Sequence, residues 1–186
     1  MNILYWVELK ITEKDREKAR EIAVKRMDYM KKISCSSTNH FKGQKSEIIG
    51  LLGEIKFGEF MGLAPNLRTD APGSVDFRIN GKIVDVKTNE SRVHPSLSSN
   101  NYLFLINRAQ FDRHKDVGYY VSVMVFEDKA WICGYLPQNE VMGYPIITCK
   151  HSPCYAIPFP YLHDPCELNG PEPDEIASSR RLHLDS

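Results

Sequence analysis

From Thr12 to Ile33 the apolar residues Ala19, Ile22, Ala23, Met27, Met30 and Ile33 recur at the spacing of one helix face. The pattern predicts an amphipathic helix over residues 12–33, opened by Thr12 and Asp15 in a capping-box-like arrangement. The polar stretch Cys35 to Gln44 reads as a loop. A second helix is expected over 46–61, with Gly62 where a left-handed cap is wanted. Residues 63–74 hold two prolines, an aspartate and a glycine, and read as a connection.

The period then changes from helix to strand. Val75-Asp76-Phe77-Arg78-Ile79 alternates, Asn80-Gly81 follows, and Lys82-Ile83-Val84-Asp85-Val86-Lys87 alternates again. Asn-Gly between two alternating runs predicts a hairpin with a two-residue turn. Glu90 to Asn101 is a polar loop. Further strands are expected at Tyr102–Ile106, Tyr119–Phe126 and Ala130–Leu136, with a short helix over Ala109–His114. Beyond Pro137 the prolines at 145, 153, 158, 160, 165, 171 and 173 predict irregular structure over 137–162, followed by an acidic extension, 163–186. No internal repeat is present. Residues 1–162 are expected to form a single domain with its core sheet between 75 and 136.

Composition narrows the class without naming a function. Hydrophobic residues make up 42% of the 186 and charged residues 26%, the balance of a globular chain. Lysine plus arginine equal aspartate plus glutamate at 24 each, so no global field attracts nucleic acid or a membrane surface. A local basic face is still available, because residues 1–45 carry eleven basic side chains against six acidic ones. No apolar run approaches the roughly 20 residues that cross a bilayer, and the N-terminus does not read as a signal peptide. The expectation is a cytoplasmic protein with no membrane partner, whose five cysteines are reduced.

Candidate chemistry lies on the hairpin. With Asn80-Gly81 as the turn, Phe77 pairs with Val84 and Asp76 stands opposite Asp85, while Lys87 points to the same face as Asp85. The other face should collect Val75, Phe77, Ile79, Val84 and Val86. Two opposed carboxylates need a counter-charge, either from Lys87 and Arg78 or from a bound cation. An all-oxygen donor set favours magnesium, manganese or calcium over zinc. The plain alternative is an exposed hairpin face held by a cross-strand salt bridge.

An acid, then a hairpin carrying Asp-x-Lys, preceded by a helical Gly-Glu, resembles the PD-(D/E)xK nuclease superfamily. The matching segments are Gly53-Glu54-Ile55-Lys56-Phe57, Gly73-Ser74-Val75-Asp76 and Asp85-Val86-Lys87, within residues 45–136. Asp85-Val86-Lys87-Thr88 is also similar to the Asp-Tyr-Lys-Thr of RecB-like members. The family's Pro-Asp is Val75-Asp76 here, with Pro72 displaced.

The resemblance implies an α/β fold of the restriction-endonuclease-like type, with a mixed, mostly antiparallel central sheet flanked by helices. It implies that Asp76, Asp85 and often Glu54, with the backbone carbonyl of Val86, hold one or two Mg2+ or Mn2+ ions, and that Lys87 orients a water. The implied activity is hydrolysis of phosphodiester bonds in DNA, RNA being the second choice, with a 5′-phosphate left behind. Homodimers occur among the junction and palindrome cutters of this superfamily. A nuclease-fold protein that binds nucleic acid or serves a structural role without turnover is the rival reading.

Glu47, about two turns before Glu54 on nearly the same face, competes for the helical role; Gly53 favours Glu54 because it lets helix and sheet approach closely. Gln110 resembles the glutamine of RecB-like members, and a surface position fits it equally well. A separate group, Cys149, Cys154, His163 and Cys166, has the residue types for zinc, or for an iron–sulfur cluster if Cys35 or Cys133 joined. Its spacings match no standard metal pattern, and unligated thiols are the expectation. Trp6 and Trp131 are expected in the core.

Overall fold

The computed structural model describes residues 6–33, 43–69, 75–94, 102–150 and 152–169. The displaced Pro72, the Gly73-Ser74 pair, Cys35 and most of the acidic extension lie outside them. The chain runs β1 (Val7–Lys10), α1 (Glu13–Ile33), α2 (Gln44–Met61), β2 (Phe77–Ile79), β3 (Lys82–Glu90), β4 (Leu103–Asn107), α3 (Arg108–Arg113), β5 (Val117–Phe126), β6 (Lys129–Pro137), α4 (Gln138–Val141), β7 (Ile146–Cys149) and β8 (Ser152–Pro158). Two short 3-10 turns, Phe159–Tyr161 and Pro165–Asn169, follow.

Both helices form where the pattern requires. The Asp15 amide donates to Thr12 Oγ1 and the Thr12 amide donates back to Asp15 Oδ2, so α1 opens on a reciprocal capping box. At the far end of α2, Gly62 takes the left-handed conformation (φ 66°), and its N–H caps the Glu59 carbonyl.

The central sheet has the order β1-β6-β5-β3-β2. Only β3 and β5 pair in parallel, so the sheet is mixed and mostly antiparallel, in an α/β architecture. One face packs on the helices: Leu51, Leu52, Ile55 and Phe57 of α2 meet Val84, Val86, Val121, Val123 and Ile132. The opposite face is also covered. Ile83, Tyr120, Met124 and Trp131 pack against Phe104, Ile106, Tyr155 and Ile157 of a second sheet, ordered β4-β8-β7. Because both faces are buried, β5 is a nearly continuous apolar run rather than a clean alternation.

The second sheet corrects two expectations. β4 belongs to it and not to the central sheet, because alternation reveals a strand's faces but not its neighbour. Ile146–Cys149 and Ser152–Pro158 are strands rather than irregular structure. The prolines are placed where the pairing tolerates them: Pro145 precedes β7, Pro153 lies near the start of β8 opposite Thr148 of the edge strand β7 and beyond the last β4 pair at Cys154, and Pro158 ends β8 opposite Leu103. Strand β1, which the reading above left unassigned, closes the other edge of the central sheet against β6. Trp131 is buried and Trp6 stacks edge-on against Phe159 at 5.6 Å, so both serve the core. Among the described residues, no helix is long and apolar enough to cross a membrane.

Candidate functional site

The hairpin forms with the expected register, Phe77 opposite Val84, Arg78 opposite Ile83 and Ile79 opposite Lys82. Asn80 (φ 50°) and Gly81 (φ 76°) both take positive φ, as a type I′ turn demands. The ladder then stops. β2 ends at Phe77 whereas β3 continues to Glu90, so from Asp85 onward the β2-side edge of β3 has no strand partner among the described residues.

Asp76 uses that edge. It is not a ladder partner of Asp85, as the extended hairpin would have made it; its Oδ2 accepts the Val86 N–H at 2.8 Å. In extended backbone a residue's N–H and C=O leave on the same side, so the Val86 carbonyl points to this edge as well. Asn66 pins the approach: its side chain donates to the Val75 carbonyl at 2.9 Å and its N–H donates to the Asp76 carbonyl at 3.3 Å. The same departure from ladder geometry moves Val75 away from Phe77, Ile79, Val84 and Val86 and onto the second core cluster, a correction to the expected apolar face. A shallow recess of about 270 Å³, lined by Leu63, Ala64, Asn66, Val75, Asp76, Phe77 and Arg78, opens beside Asp76.

On β3, Val84 and Val86 turn to the helices, so Asp85 and Lys87 leave from the opposite face. Their side chains are 20% and 27% exposed and form an ion pair of 2.7 Å. Tyr120 and Ser122 stand beside them on β5, in register with Asp85 and Lys87. Both of these hydroxyls are buried without a hydrogen-bond partner among the described residues.

Glu54 comes from α2, which lies close over β3. A Cβ on Gly53 would sit 1.8 Å from Thr88 Oγ1, so only glycine allows this approach, as the Gly53-Glu54 pair suggested. Glu54 is 8% exposed. Its Oε2 lies 3.6 Å from Arg26 Nη2, an ion pair too long for a hydrogen bond, and has no hydrogen-bond partner among the described residues. Burial drives the Glu54 carboxyl up to about 8; the Asp76 charge adds to this, the Arg26 charge opposes it, and Glu47 adds again. Asp76 is pushed up to about 6 by burial and then by the Asp85 charge, against the Val86 N–H, Lys87 and Arg26. Asp76 is therefore the link: it is in electrostatic contact with Glu54 on one side and with Asp85 and Lys87 on the other.

Arg26 is the functional side chain missed by the sequence reading. It occupies a position on the α1 apolar stripe, between Ile22–Ala23 and Met30, and is 11% exposed. A charge on the buried stripe was the available signal. Its Nη1 donates to Glu47 Oε1 at 3.0 Å, so Glu47 and Glu54 share one arginine instead of competing for one role.

The remaining candidates lie elsewhere in the contact pattern. Gln110 is half-buried on α3, where its amide donates to the capping Asn107 side chain at 3.2 Å. Cys149 and Cys154 sit on the β7–β8 hairpin, His163 Nε2 meets Glu140 Oε2 at 2.9 Å, and Cys166 is exposed. Cys133 is buried in the second core cluster. Among the described residues, no three His, Cys, Asp or Glu side chains stand in a closed metal-coordinating group; the carboxylates are met instead by Arg26, the Val86 N–H and Lys87.

The donor set nonetheless fits a hard divalent cation. Glu54, Asp76 and Asp85 offer carboxylate oxygens and Val86 a carbonyl, all suited to Mg2+ or Mn2+. Burial and the neighbouring acid charges raise Glu54 and Asp76, and among the described residues Arg26 and Lys87 are the cations that oppose them. Comparison with protein-family models, curated proteins and solved structures gave no match.

Proposed function

We propose that the chain is a metal-dependent nuclease of the PD-(D/E)xK type, hydrolysing phosphodiester bonds in DNA and leaving a 5′-phosphate. The observation that carries this reading is the linked set Glu54–Asp76–Asp85–Lys87 at the uncovered edge of β3, with a buried glutamate oxygen that among the described residues is met only by Arg26 at 3.6 Å. A salt bridge on an exposed hairpin would not bury its acids or draw in a third from a helix.

Asp76, Asp85, Glu54 and the Val86 carbonyl would hold Mg2+ or Mn2+. When bound, such an ion polarises a phosphoryl oxygen and acidifies a coordinated water. Lys87 pairs with Asp85 at 2.7 Å, where it can orient an attacking water and meet a phosphate oxygen. Attack of that water on phosphorus breaks the P–O3′ bond, and the departing O3′ takes up a proton. A cytoplasmic location and, for a junction or palindrome cutter, a homodimer belong to the same reading.

The test is cleavage of labelled single-stranded, duplex, flap and four-way DNAs, with an RNA control, in Mg2+ or Mn2+ and in EDTA. Metal-dependent cleavage with 5′-phosphate ends is expected. A protein that binds nucleic acid in the presence of these ions yet cuts none of the substrates would be a non-hydrolytic binding protein on a nuclease fold.

A further inference from the structure

Arg26 is held more firmly than a surface counter-ion. Its Nε donates to the Arg68 carbonyl at 3.0 Å, Nη2 to the Asn66 carbonyl at 3.3 Å and Nη1 to Glu47 at 3.0 Å, while Nη2 faces Glu54 at 3.6 Å. Two backbone carbonyls of the segment after α2 therefore fix the guanidinium between two glutamates. At 11% exposure, solvent screens it little. Its charge also reaches Asp76.

The charges around this point can be counted. Among the described residues, Glu47, Glu54, Asp76 and Asp85 bring four negative charges when ionised; Arg26 and Lys87 bring two positive ones. Two negative charges remain, which one divalent ion neutralises and two would overfill. A second sign of a ligand is Glu54 Oε2, buried and, among the described residues, without a hydrogen-bond partner, its nearest cation being Arg26 Nη2 at 3.6 Å.

We propose that Arg26 is a built-in cation of the site, standing on the Glu47 and Glu54 side where a second metal ion would otherwise bind, so that the cluster takes a single divalent ion. Arg26 is thus a positioning residue: it holds Glu54 by charge and touches neither ion nor substrate. The inference rests on reading these acids as a cation site. It adds the stoichiometry and assigns that stoichiometry to a residue of α1.

Manganese binding to the intact chain, followed by calorimetry and by the paramagnetic signal of free Mn2+, tests it without any nuclease assay. The wild type should bind one Mn2+ per chain. Arg26→Gln should melt lower in EDTA, because Glu47 and Glu54 lose their counter-charge. In Mn2+ it should either bind a second ion or bind the first about tenfold more tightly, the low end of what a neighbouring unit charge does to an ionic equilibrium. A merely structural role predicts the reverse, a protein that is both less stable and weaker for metal. The double variant Arg26→Gln/Glu47→Gln restores the net charge and should return to one ion with wild-type affinity; it also carries the test where the single variant fails to fold, since a second ion bound there would overturn the proposal. Two ions in the wild type, or wild-type or weaker affinity in Arg26→Gln, would overturn the role of Arg26 alone. A wild type that binds no divalent ion would remove the underlying reading, and this inference with it.

Discussion

Raising the pH of the metal-free protein should destabilise it, and the magnitude follows from the two buried acids. Glu54 is driven from 4.5 up to about 8, and Asp76 from 3.8 to about 6. A carboxyl whose pKa is higher folded than unfolded holds its proton more tightly in the native state. Its contribution is therefore complete below the unfolded value and disappears as pH rises through the folded value. Between those limits each group costs up to about 1.4 kcal/mol per pH unit. Glu54 alone, taken from about pH 5 to about pH 8, then costs on the order of 4 kcal/mol, or on the order of 10 °C in melting temperature for a chain of this length. Asp76 and Glu54 interact, so their losses do not simply add. Asp15, which burial pushes up but Lys56 and Thr12 hold below 3.8, loses its contribution only at more acid pH, outside this window. The assay is thermal melting in EDTA across that range, repeated with Mn2+. The metal-free melting temperature should fall with pH, and the rise produced by Mn2+ should grow, because the ion binds the ionised carboxylates. Glu54→Gln should flatten the metal-free slope. A wild type whose melting temperature in EDTA stays level or climbs over this range would refute the burial and mutual repulsion assigned to these acids.

Three further outcomes are expected. Asp85→Ala should lose more than about a hundredfold in DNA cleavage, the scale of a lost electrostatic contact to the reacting centre, and full activity in that variant would end the nuclease reading. Lys87→Ala should lower turnover while leaving Mn2+ affinity at or above the wild-type level; calorimetry finding weaker metal binding would contradict its assignment to water and phosphate. Gly53→Ala places a methyl carbon 1.8 Å from Thr88 Oγ1, so it should destabilise by about 1–3 kcal/mol or more as overpacking does, and an unchanged urea midpoint would show that α2 is not held that close to β3.

Local signals carried much of the architecture. The α1 stripe, the Thr12–Asp15 box, Gly62 and the Asn80-Gly81 turn each satisfy a short-range requirement that neighbouring residues alone impose, and each stands as read. Non-local pairing was not legible in the same way. Alternation over 102–106 identified a strand but could not say that β8 would be its partner, and prolines placed before β7 and near the two ends of β8 looked like prolines that forbid strands. At the site, spacing along α2 could not choose between Glu47 and Glu54, which share a face. The arginine that joins them comes from another helix. Nor could hairpin register foresee that Asp76 leaves the ladder, because that depends on Asn66 gripping residues 75 and 76 from the connection after α2.

The distribution of unsatisfied polar atoms ties these features together. Native interiors pair nearly all buried polar groups, and each one left alone costs about 1–3 kcal/mol. Among the described residues four buried side-chain atoms lack a hydrogen-bond partner, and three of them are Glu54 Oε2, Tyr120 Oη and Ser122 Oγ. The two hydroxyls lie on β5 in register with Asp85 and Lys87, and Glu54 is in electrostatic contact with Asp76. Random imperfection of packing would scatter such atoms through both cores. Here they gather around one short stretch of β3, beside the edge that β2 leaves uncovered, where carboxylates that repel one another are held together by a glycine contact, an asparagine clamp and an arginine from α1. Stability is given up beside the edge of β3 where Asp76 takes the Val86 N–H, an arrangement that a bound cation would relieve under the proposed function.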